Sequence, residues 1–248
     1  MQSYVIGDIH GQLEMLRDAH WRIAQDRARH GNEGASVFHL GDYVDRGPDS
    51  AGVIQYLIEG ISGNAPWVCL LGNHDRMFAM FLKDPVIQDH VLRKDYTWLH
   101  QQLGGRETLR SYGFESVDDA SAEALFAQAH RVPSHHVEFL DSLKSFAETP
   151  ELFIAHAGIR PGIALDWQSE DDLIWIRADF HKDLRWHGKL IVHGHTPVKK
   201  PTHYGNRVNL DSGAGYGHPL TTAVFDGNDV WTLDEKGRRD ALMPPDPG

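Results

Sequence analysis

Five short segments of this chain carry residues that bind metal ions or phosphate, and each directly follows an apolar run. They are residues 7–11 (GDIHG), 41–47 (GDYVDRG), 72–75 (GNHD), 156–158 (HAG) and 194–197 (GHTP). Together they supply carboxylate, imidazole and amide ligands for two divalent ions, an arginine for phosphate and a histidine–aspartate pair for proton transfer. This combination is typical of a dinuclear phosphoesterase site.

The candidate metal ligands share one position, the carboxyl end of a predicted strand: Asp8, His10, Asp42, Asn73, His156 and His195. Asp8 and His10 are two residues apart, so their side chains point to the same side of an extended segment. Asp42 could bridge both ions, and the neutral oxygen of Asn73 limits the negative charge. Hard oxygen with imidazole nitrogen suits manganese, iron or zinc better than calcium, and manganese is the favoured candidate.

Alternating strands and helices must position the first three segments. Strands are predicted at residues 4–6, 37–40 and 67–71. A helix follows each of the first two strands: the first helix is expected to stop at Gly31, and the second to be capped by Asp49 or Ser50. The strand-end ligands lie 34 residues apart (8 to 42) and 31 apart (42 to 73), and each interval fits one βαβ unit. Ligands collect at the carboxyl ends of such strands.

The rest of the chain divides into a helical insertion and a strand-rich second half. Residues from about 85 to 150 look mostly helical, with an apolar stripe formed by Val137, Leu140, Leu143 and Phe146. Later strands are expected at 152–155, 190–192, 207–210, 220–225 and 230–233, with a hairpin turn at 226–229. Parallel units followed by antiparallel hairpins indicate an α/β domain of two packed sheets with helices outside.

Length and composition limit the kinds of partner and compartment. The chain has 248 residues and a formal net charge of −11, so extended nucleic acid is a poor default partner. No segment resembles a signal peptide or approaches membrane-spanning length. The single cysteine, Cys69, cannot form an internal disulfide and fits a cytoplasmic location. We expect one catalytic domain over residues 1–242 and a frayed tail at 243–248; the oligomeric state stays open, and a monomer is compatible with the sequence.

The five motifs, in this order, resemble those of the calcineurin-like metallophosphoesterases. Within them, they resemble the phosphoprotein phosphatase family, which includes lambda phage phosphatase and bacterial serine/threonine protein phosphatases. The resemblance covers residues 4 to about 226, and the segment 41–47 is its most specific part. Related symmetrical diadenosine tetraphosphatases usually lack an aspartate at the position of Asp45. This chain has Asp75 where the family commonly has glutamate.

The resemblance implies an αββα sandwich and a division of the ligands between two ions. It assigns Asp8, His10 and Asp42 to one ion, and Asp42, Asn73, His156 and His195 to the other. Spacing alone cannot separate His193 from His195, because both point to the same side of a regular strand. The resemblance selects His195, and His193 is then expected to support the ligands without binding an ion.

The resemblance also implies the groups that act on the phosphate. It gives His74 the role of general acid, with Asp45 orienting it, and makes Arg46 a phosphate clamp. Arg177, in the segment LIWIR (173–177), is the next candidate clamp, and Arg160 is its rival. Asn73 and Tyr216 are further candidates for substrate contact.

The function favoured by the sequence is hydrolysis of phosphoserine and phosphothreonine in proteins or peptides, with phosphotyrosine as a further candidate. A shared water activated by both ions would attack phosphorus directly. One alternative is a diadenosine tetraphosphate or other dinucleoside polyphosphate hydrolase, although its better leaving group needs less help from His74 and Asp45. The alternative from another class is a catalytically inactive binding scaffold.

Overall fold

The fold is an αββα sandwich, as expected from the sequence. A computed structural model describes residues 2–227 and 229–245. The first sheet has the order β11-β10-β9-β1-β2-β3, and its strands are β1 (Ser3–Ile6), β2 (Val37–His39), β3 (Trp67–Cys69), β9 (Thr222–Asp226), β10 (Asp229–Asp234) and β11 (Gly237–Ala241). The second has the order β4-β5-β6-β8-β7, and its strands are β4 (Phe146–Glu148), β5 (Leu152–Ala155), β6 (Leu190–His193), β7 (Thr202–His203) and β8 (Arg207–Asn209).

Eight α-helices lie in the described part of the chain: α1 (Leu13–His30), α2 (Ser50–Ser62), α3 (Asn73–Lys83), α4 (Gly105–Ser111), α5 (Ala122–Phe126), α6 (Ser134–Ser142), α7 (Glu170–Trp175) and α8 (Ala178–His181). The predicted ends of two helices are confirmed. Gly31 ends α1 in the left-handed conformation, which glycine adopts without steric cost. Asp49 caps α2 by accepting a hydrogen bond from the Gly52 amide.

The alternation of side chains along β1 explains the layers. Val5 faces the second sheet and packs in one cluster with Ile154 of β5 and Val192 of β6. Tyr4 and Ile6 face the other way and pack against the helices of the first layer. Because successive side chains of a strand point to opposite faces, one short buried strand joins both parts of the core.

Strands β1, β2 and β3 are mutually parallel, as the βαβ spacing predicts. Strand β9 pairs antiparallel with β1, and β10 continues the meander. The predicted hairpin between β9 and β10 is present, although Asn228 of its turn lies outside the described residues, as do residues 246–248 of the predicted tail. No helix among the described residues is long and apolar enough to span a membrane.

One predicted helical stripe is wrong at its end. Val137 and Leu140 lie in α6, but this helix ends at Ser142, and Leu143 already has extended backbone. Phe146 is the first residue of β4, which pairs antiparallel with β5. The spacing of the four residues fits a helix, yet pairing with an adjacent strand and stacking on Phe153 at 5.0 Å decide the conformation of Phe146.

Candidate metal centre

The ends of strands from both sheets converge on one buried site. Asp8 and His10 follow β1, Asp42 follows β2, and Asn73 begins α3 directly after β3. His156 follows β5, and His195 follows β6. All six predicted ligands are at most 6% exposed. The structure therefore brings together every residue that the sequence nominated as a ligand.

One group of possible ligands consists of His10, Asp42 and His74. Nδ1 of His10 donates to the backbone oxygen of Val44 at 2.8 Å, so Nε2 carries the lone pair. That Nε2 lies 3.4 Å from Oδ2 of Asp42. The ring is thus oriented by its other nitrogen, as in most metal-binding histidines.

A second group consists of Asp42, His156 and His195. Nδ1 of His156 is 2.9 Å from the backbone oxygen of Leu40, and its Nε2 lies 3.4 Å from Oδ1 of Asp42. The same Nε2 lies 3.1 Å from Oδ1 of Asn73 and 3.2 Å from Nδ1 of His195. The two oxygens of Asp42 therefore face different groups, which is the arrangement that a bridging carboxylate requires.

Two buried atoms support the fit of cations to this site. Among the described residues, Oδ1 of Asp8 and Nε2 of His195 are buried without a hydrogen-bond partner, and such atoms are costly unless something binds them. Burial, together with the charges of Asp211 and Asp42, raises the pKa of Asp8 well above its usual value. Divalent ions would relieve both the repulsion between the carboxylates and the lack of partners.

Backbone strain is concentrated at the same place. Seven described non-glycine residues have positive φ, and five of them belong to the predicted site: His10 (47°), Asp42 (53°), Asp45 (73°), Arg46 (67°) and His195 (65°). The left-handed region is sparsely used by residues with a Cβ, and such strain clusters at functional sites. The surrounding hydrogen bonds therefore hold these side chains in unusual directions.

Glycines of the motifs allow the backbone to lie directly against the carboxylates of Asp42 and Asp8. A Cβ at Gly72 would lie 2.2 Å from Oδ1 of Asp42, and one at Gly194 would lie 2.0 Å from Oδ1 of Asp8. Both distances are far inside van der Waals contact, so no other residue fits without moving the carboxylates.

His74 lies beside the first group but has a different partner. Its Nδ1 is 2.6 Å from Oδ2 of Asp45, which also accepts from Nε1 of Trp98 at 2.9 Å. The other oxygen of Asp45 accepts from the Thr108 hydroxyl at 2.7 Å. Nε2 of His74 is 3.0 Å from a guanidinium nitrogen of Arg46. The pair fits proton donation, while the position of Nε2 also permits metal binding.

The three candidate arginines have different surroundings. Arg46 lies in the site, where its guanidinium contacts His10 and His74. Arg177 is exposed and donates to the Thr196 hydroxyl at 3.2 Å, next to His195. Arg160 instead bonds to two carboxylates, Asp172 at 2.5 Å and Asp179 at 2.6 Å. Of the two rivals, Arg177 is therefore the better candidate for phosphate, because no carboxylate among the described residues pairs with it.

Two other predicted residues lie where the sequence suggested. The Tyr216 ring lies 4.7 Å from the Arg46 guanidinium and is 59% exposed, so it borders the site opening. His193 has its Nε2 3.2 Å from Arg207 and its Nδ1 3.1 Å from the Gly194 oxygen. Neither of its nitrogens is part of the two ligand groups.

Four residues near the site were missed. Asp75 accepts hydrogen bonds from the backbone amides of Asp42 (2.7 Å), Tyr43 (2.8 Å) and Gly72 (2.9 Å), and so holds the backbone of Asp42 in place. Burial raises the pKa of Asp211 to about 6, with the charge of Asp42 adding to the effect. Asp211 follows β8 as the ligands follow their strands, and that signal could have found it. Trp98 lies in the non-helical segment before α4 and Thr108 lies in α4, and no sequence pattern linked either of them to Asp45.

The same family and fold emerge from comparison with known proteins. The family model described as calcineurin-like phosphoesterase matches residues 1–220. A candidate diadenosine tetraphosphatase of known structure has a TM-score of 0.65 at 21% identity, covering 95% of both chains. The cold-active protein-tyrosine phosphatase of a psychrophilic Shewanella has a TM-score of 0.59 at 14% identity, covering 98% of this chain and 80% of its own. At sequence identities of 21% and 14%, the similarity to these two structures supports a shared fold and no more.

Relatives with assigned activities align along most of the chain. An asymmetrical bis(5′-nucleosyl)-tetraphosphatase, PrpE of Anoxybacillus flavithermus, is 28% identical over 227 residues, covering 89% of each chain. Serine/threonine-protein phosphatase 1 of Salmonella typhimurium is 27% identical over 230 residues, covering 89% of this chain and 90% of its own. Together with the family match over most of its length, this shows that the chain belongs to the calcineurin-like phosphoesterase family, as its five motifs predicted.

Proposed function

We propose that this chain is a metal-dependent hydrolase that cleaves dinucleoside tetraphosphates asymmetrically. The observation that carries the proposal is the alignment with asymmetrical bis(5′-nucleosyl)-tetraphosphatases of Anoxybacillus flavithermus and Oceanobacillus iheyensis, which covers 89% and 91% of the chain and 89% of each relative. The sequence ranked phosphoprotein hydrolysis first, and these relatives reverse that order. Asp45 argues against symmetrical cleavage, because the resemblance implies that symmetrical enzymes usually lack an aspartate at this position.

The metal requirement of the proposal follows from the donor set, which consists of Asp8, His10, Asp42, Asn73, His156 and His195. Two divalent ions bound there would hold the phosphate and lower the pKa of a water molecule. Mixed oxygen and imidazole ligands favour manganese, with iron or zinc as the other candidates. We assign Asp42 to both ions because its two oxygens face different ligand groups.

Two arginines would bind the phosphate that is attacked. Arg46 is fixed inside the site between His10, His74 and Tyr216. Arg177, directly before α8, donates to the Thr196 hydroxyl next to His195. Their guanidinium groups would neutralise phosphoryl oxygens as charge shifts in the transition state, which is the role of an electrostatic stabiliser.

A specific observation favours a second candidate function, the hydrolysis of phosphoserine, phosphothreonine or phosphotyrosine. Nδ1 of His74 lies 2.6 Å from the Asp45 carboxylate, which orients the ring so that Nε2 faces the site and can pass a proton to a departing oxygen. An alkoxide needs that proton far more than a nucleoside phosphate does. This candidate agrees with the likeness to the Salmonella serine/threonine phosphatase.

The experiment compares diadenosine tetraphosphate, a phosphoserine peptide and a phosphotyrosine peptide under identical conditions with manganese. We expect kcat/KM to be highest for diadenosine tetraphosphate, with ATP and AMP as products. Two molecules of ADP would contradict asymmetric cleavage. A higher value for either peptide would establish the phosphoprotein function, and no hydrolysis of any substrate would favour the inactive scaffold.

The proposed function also implies a class of partner and a single catalytic domain. The partner is a small nucleotide or, for the second candidate, a phosphorylated protein, whereas a net charge of −11 disfavours extended nucleic acid. The site draws its ligands from strands of both sheets, which is consistent with one catalytic domain over residues 1–242. We propose that this domain acts in the cytoplasm and as a monomer.

A further inference from the structure

A groove leads away from the metal centre past Tyr216. A first cavity, of about 290 Å³, is lined by Tyr216 and Pro197, the second residue after the ligand His195. A second cavity, of about 560 Å³, adjoins it, because both have Lys199, Ser212 and His218 in their walls. We call the second cavity the Lys199 groove, and its size is within the range of small-molecule sites.

Three cationic side chains, Arg22, Lys199 and Lys200, and two carboxylates, Asp234 and Asp240, line the Lys199 groove. Asp234 is paired with Arg239 at 2.7 Å. Lys199 and Lys200 are exposed, and neither ammonium group has an ion pair or side-chain hydrogen bond within residues 2–227 and 229–245. Arg22 also lines the groove but is paired with Asp18. On a chain with a net charge of −11, two adjacent free cations beside a phosphate site attract an anion.

The wall of the groove formed by β9, β10, β11 and the residues before β9 suits a nucleoside. Leu220 and Leu233 are buried in its wall and supply an apolar surface. Thr222 lines the same cavity and is 1% exposed, and its hydroxyl has no hydrogen-bond partner among the described residues. Buried hydroxyls are normally paired, so this one is available to a ligand. Asp240 adds an acceptor for an amino or hydroxyl group.

The geometry ties the groove to the reaction centre. Lys199 is four residues beyond His195, and a fully extended chain of that length spans at most about 14 Å. The segment between them is fixed, because the Val198 amide donates to the Asp211 oxygen at 2.9 Å and the Asn209 side chain donates to the Thr196 oxygen at 2.9 Å. The lysines are therefore held beside the metal centre by β8 and the residues that follow it.

We propose that the Lys199 groove binds the distal phosphates and the second nucleoside of the substrate, with Lys199 and Lys200 on the phosphates and Thr222 on the nucleoside. This assignment rests on the proposed dinucleotide function. A groove that holds the leaving triphosphate portion gives a reason for cleavage at one end of the chain of phosphates. A phosphopeptide with acidic neighbours, which the same two lysines would attract, is the competing occupant and is tested below.

The test uses the variant Lys199→Ala/Lys200→Ala, with Lys94→Ala/Lys236→Ala as a control that removes two exposed lysines outside the groove. We expect the groove variant to raise KM for diadenosine tetraphosphate about 3- to 10-fold, since each contact has the strength of an exposed ion pair. KM for p-nitrophenyl phosphate, which is too small to reach the groove, should not change. The control variant should behave as wild type.

Inhibition of p-nitrophenyl phosphate hydrolysis by ATP, with manganese in excess over nucleotide, probes the groove without cleavage of a dinucleotide. ATP should inhibit more strongly than inorganic phosphate, and the groove variant should lose most of that advantage. Thr222→Val should also weaken inhibition by ATP, while its melting temperature stays at or above that of wild type because the hydroxyl has no partner to lose.

The possible outcomes distinguish a wrong assignment of the groove from a wrong assignment of the reaction. Wild-type values for ATP and diadenosine tetraphosphate in the groove variant would overturn the groove assignment and leave the proposed function intact. Groove-dependent inhibition by ATP without hydrolysis of diadenosine tetraphosphate would support the nucleotide site and refute the proposed function. If the variant weakens only a phosphopeptide with acidic neighbours, the occupant is a peptide and the nucleotide assignment is wrong.

Discussion

Nδ1 of His74 donates a hydrogen bond of 2.6 Å to Oδ2 of Asp45, a residue with no exposed surface. Trp98 and Thr108 also donate to this carboxylate, so its direction is fixed by residues from outside the motifs. The arrangement leaves Nε2 of His74 as the only ring nitrogen that can face a substrate. His74 is therefore a candidate proton donor, although the residue before it, Asn73, is a candidate metal ligand.

His74→Asn should therefore lose rate in proportion to the leaving group's need for a proton. General acid catalysis is worth about 10²–10⁴-fold, so we expect a loss of that size in kcat for a phosphoserine peptide. The loss should be smaller for p-nitrophenyl phosphate, and Asp45→Asn should show the same pattern more weakly. The measurement is kcat for both substrates with metal content for each variant. Equal losses with metals retained would exclude proton donation, and a lost metal would make His74 a ligand.

Arg46→Ala should weaken the binding of the attacked phosphate and of the transition state. We expect a loss of roughly 3 kcal/mol in transition-state stabilisation, typical of one electrostatic stabiliser, together with weaker inhibition by inorganic phosphate. Arg160→Ala is the matched control because Arg160 is occupied by Asp172 and Asp179. Unchanged kcat/KM and phosphate inhibition in Arg46→Ala would remove this residue from the phosphate site.

Asp75→Asn should destabilise the loop that carries Asp42. Asp75 accepts three backbone hydrogen bonds in a fully buried position, and an amide nitrogen cannot accept. Since an unpaired buried donor costs about 1–3 kcal/mol, we expect a loss of about 2–4 kcal/mol in the free energy of unfolding. Asp119→Asn, on the surface, serves as control. A wild-type unfolding midpoint and metal affinity in Asp75→Asn would show that the loop does not depend on this carboxylate.

A buried histidine pair should make the metal-free protein less stable in acid. Nε2 of His39 is 2.9 Å from Nε2 of His20, and burial lowers the pKa of His39 from 6.5 to about 4. The unfolded chain then binds a proton that the folded chain does not. The stability that His39 contributes above pH 6.5, about 3 kcal/mol, is therefore lost as the pH falls towards 4.

His39→Gln should reduce the slope of that loss, because glutamine does not titrate, whereas His20, whose pKa burial also lowers, still does. The measurement is the free energy of unfolding by urea between pH 7 and 4, for metal-free wild type and variant. His130→Gln, at an exposed position, should keep the slope of wild type. The same slope in His39→Gln would show that His39 is protonated in the folded protein as readily as in the unfolded one.

The sequence predicted the site better than the elements around it. Asp8, Asp42 and Asn73 could be placed because a buried strand, a glycine and a polar ligand follow each other within a few residues, and parallel strands bring such ends together. Local sequence patterns were also sufficient to predict that α1 stops at Gly31 and that Asp49 caps the start of α2. The edge strands β4, β7 and β11 were missed, since short strands carry little periodic signal and depend on pairing with a neighbour.

Long-range contacts explain the rest of what was missed. The sequence left Arg160, after HAG, and Arg177, in LIWIR, as rivals because both can make bidentate phosphate contacts. Only the fold shows that Asp172 and Asp179 occupy Arg160. Trp98 reaches Asp45 across 53 residues of chain, with no local pattern to announce it. The order of the two candidate substrates depends on the relatives and not on the fold. A general acid at His74 is compatible with both substrates, so the chemistry of the leaving group does not separate them.

The most direct measurement of the central claim is the number of metal ions that activity requires. Metal-free protein is titrated with manganese, and bound metal and phosphoesterase activity are recorded together. The account predicts no activity without metal, two ions per chain at full activity, and loss of both ions in Asp42→Asn, whose oxygens face both ligand groups. Full activity in chelator with no metal detected by elemental analysis, or with a single bound ion, would contradict the two-metal site.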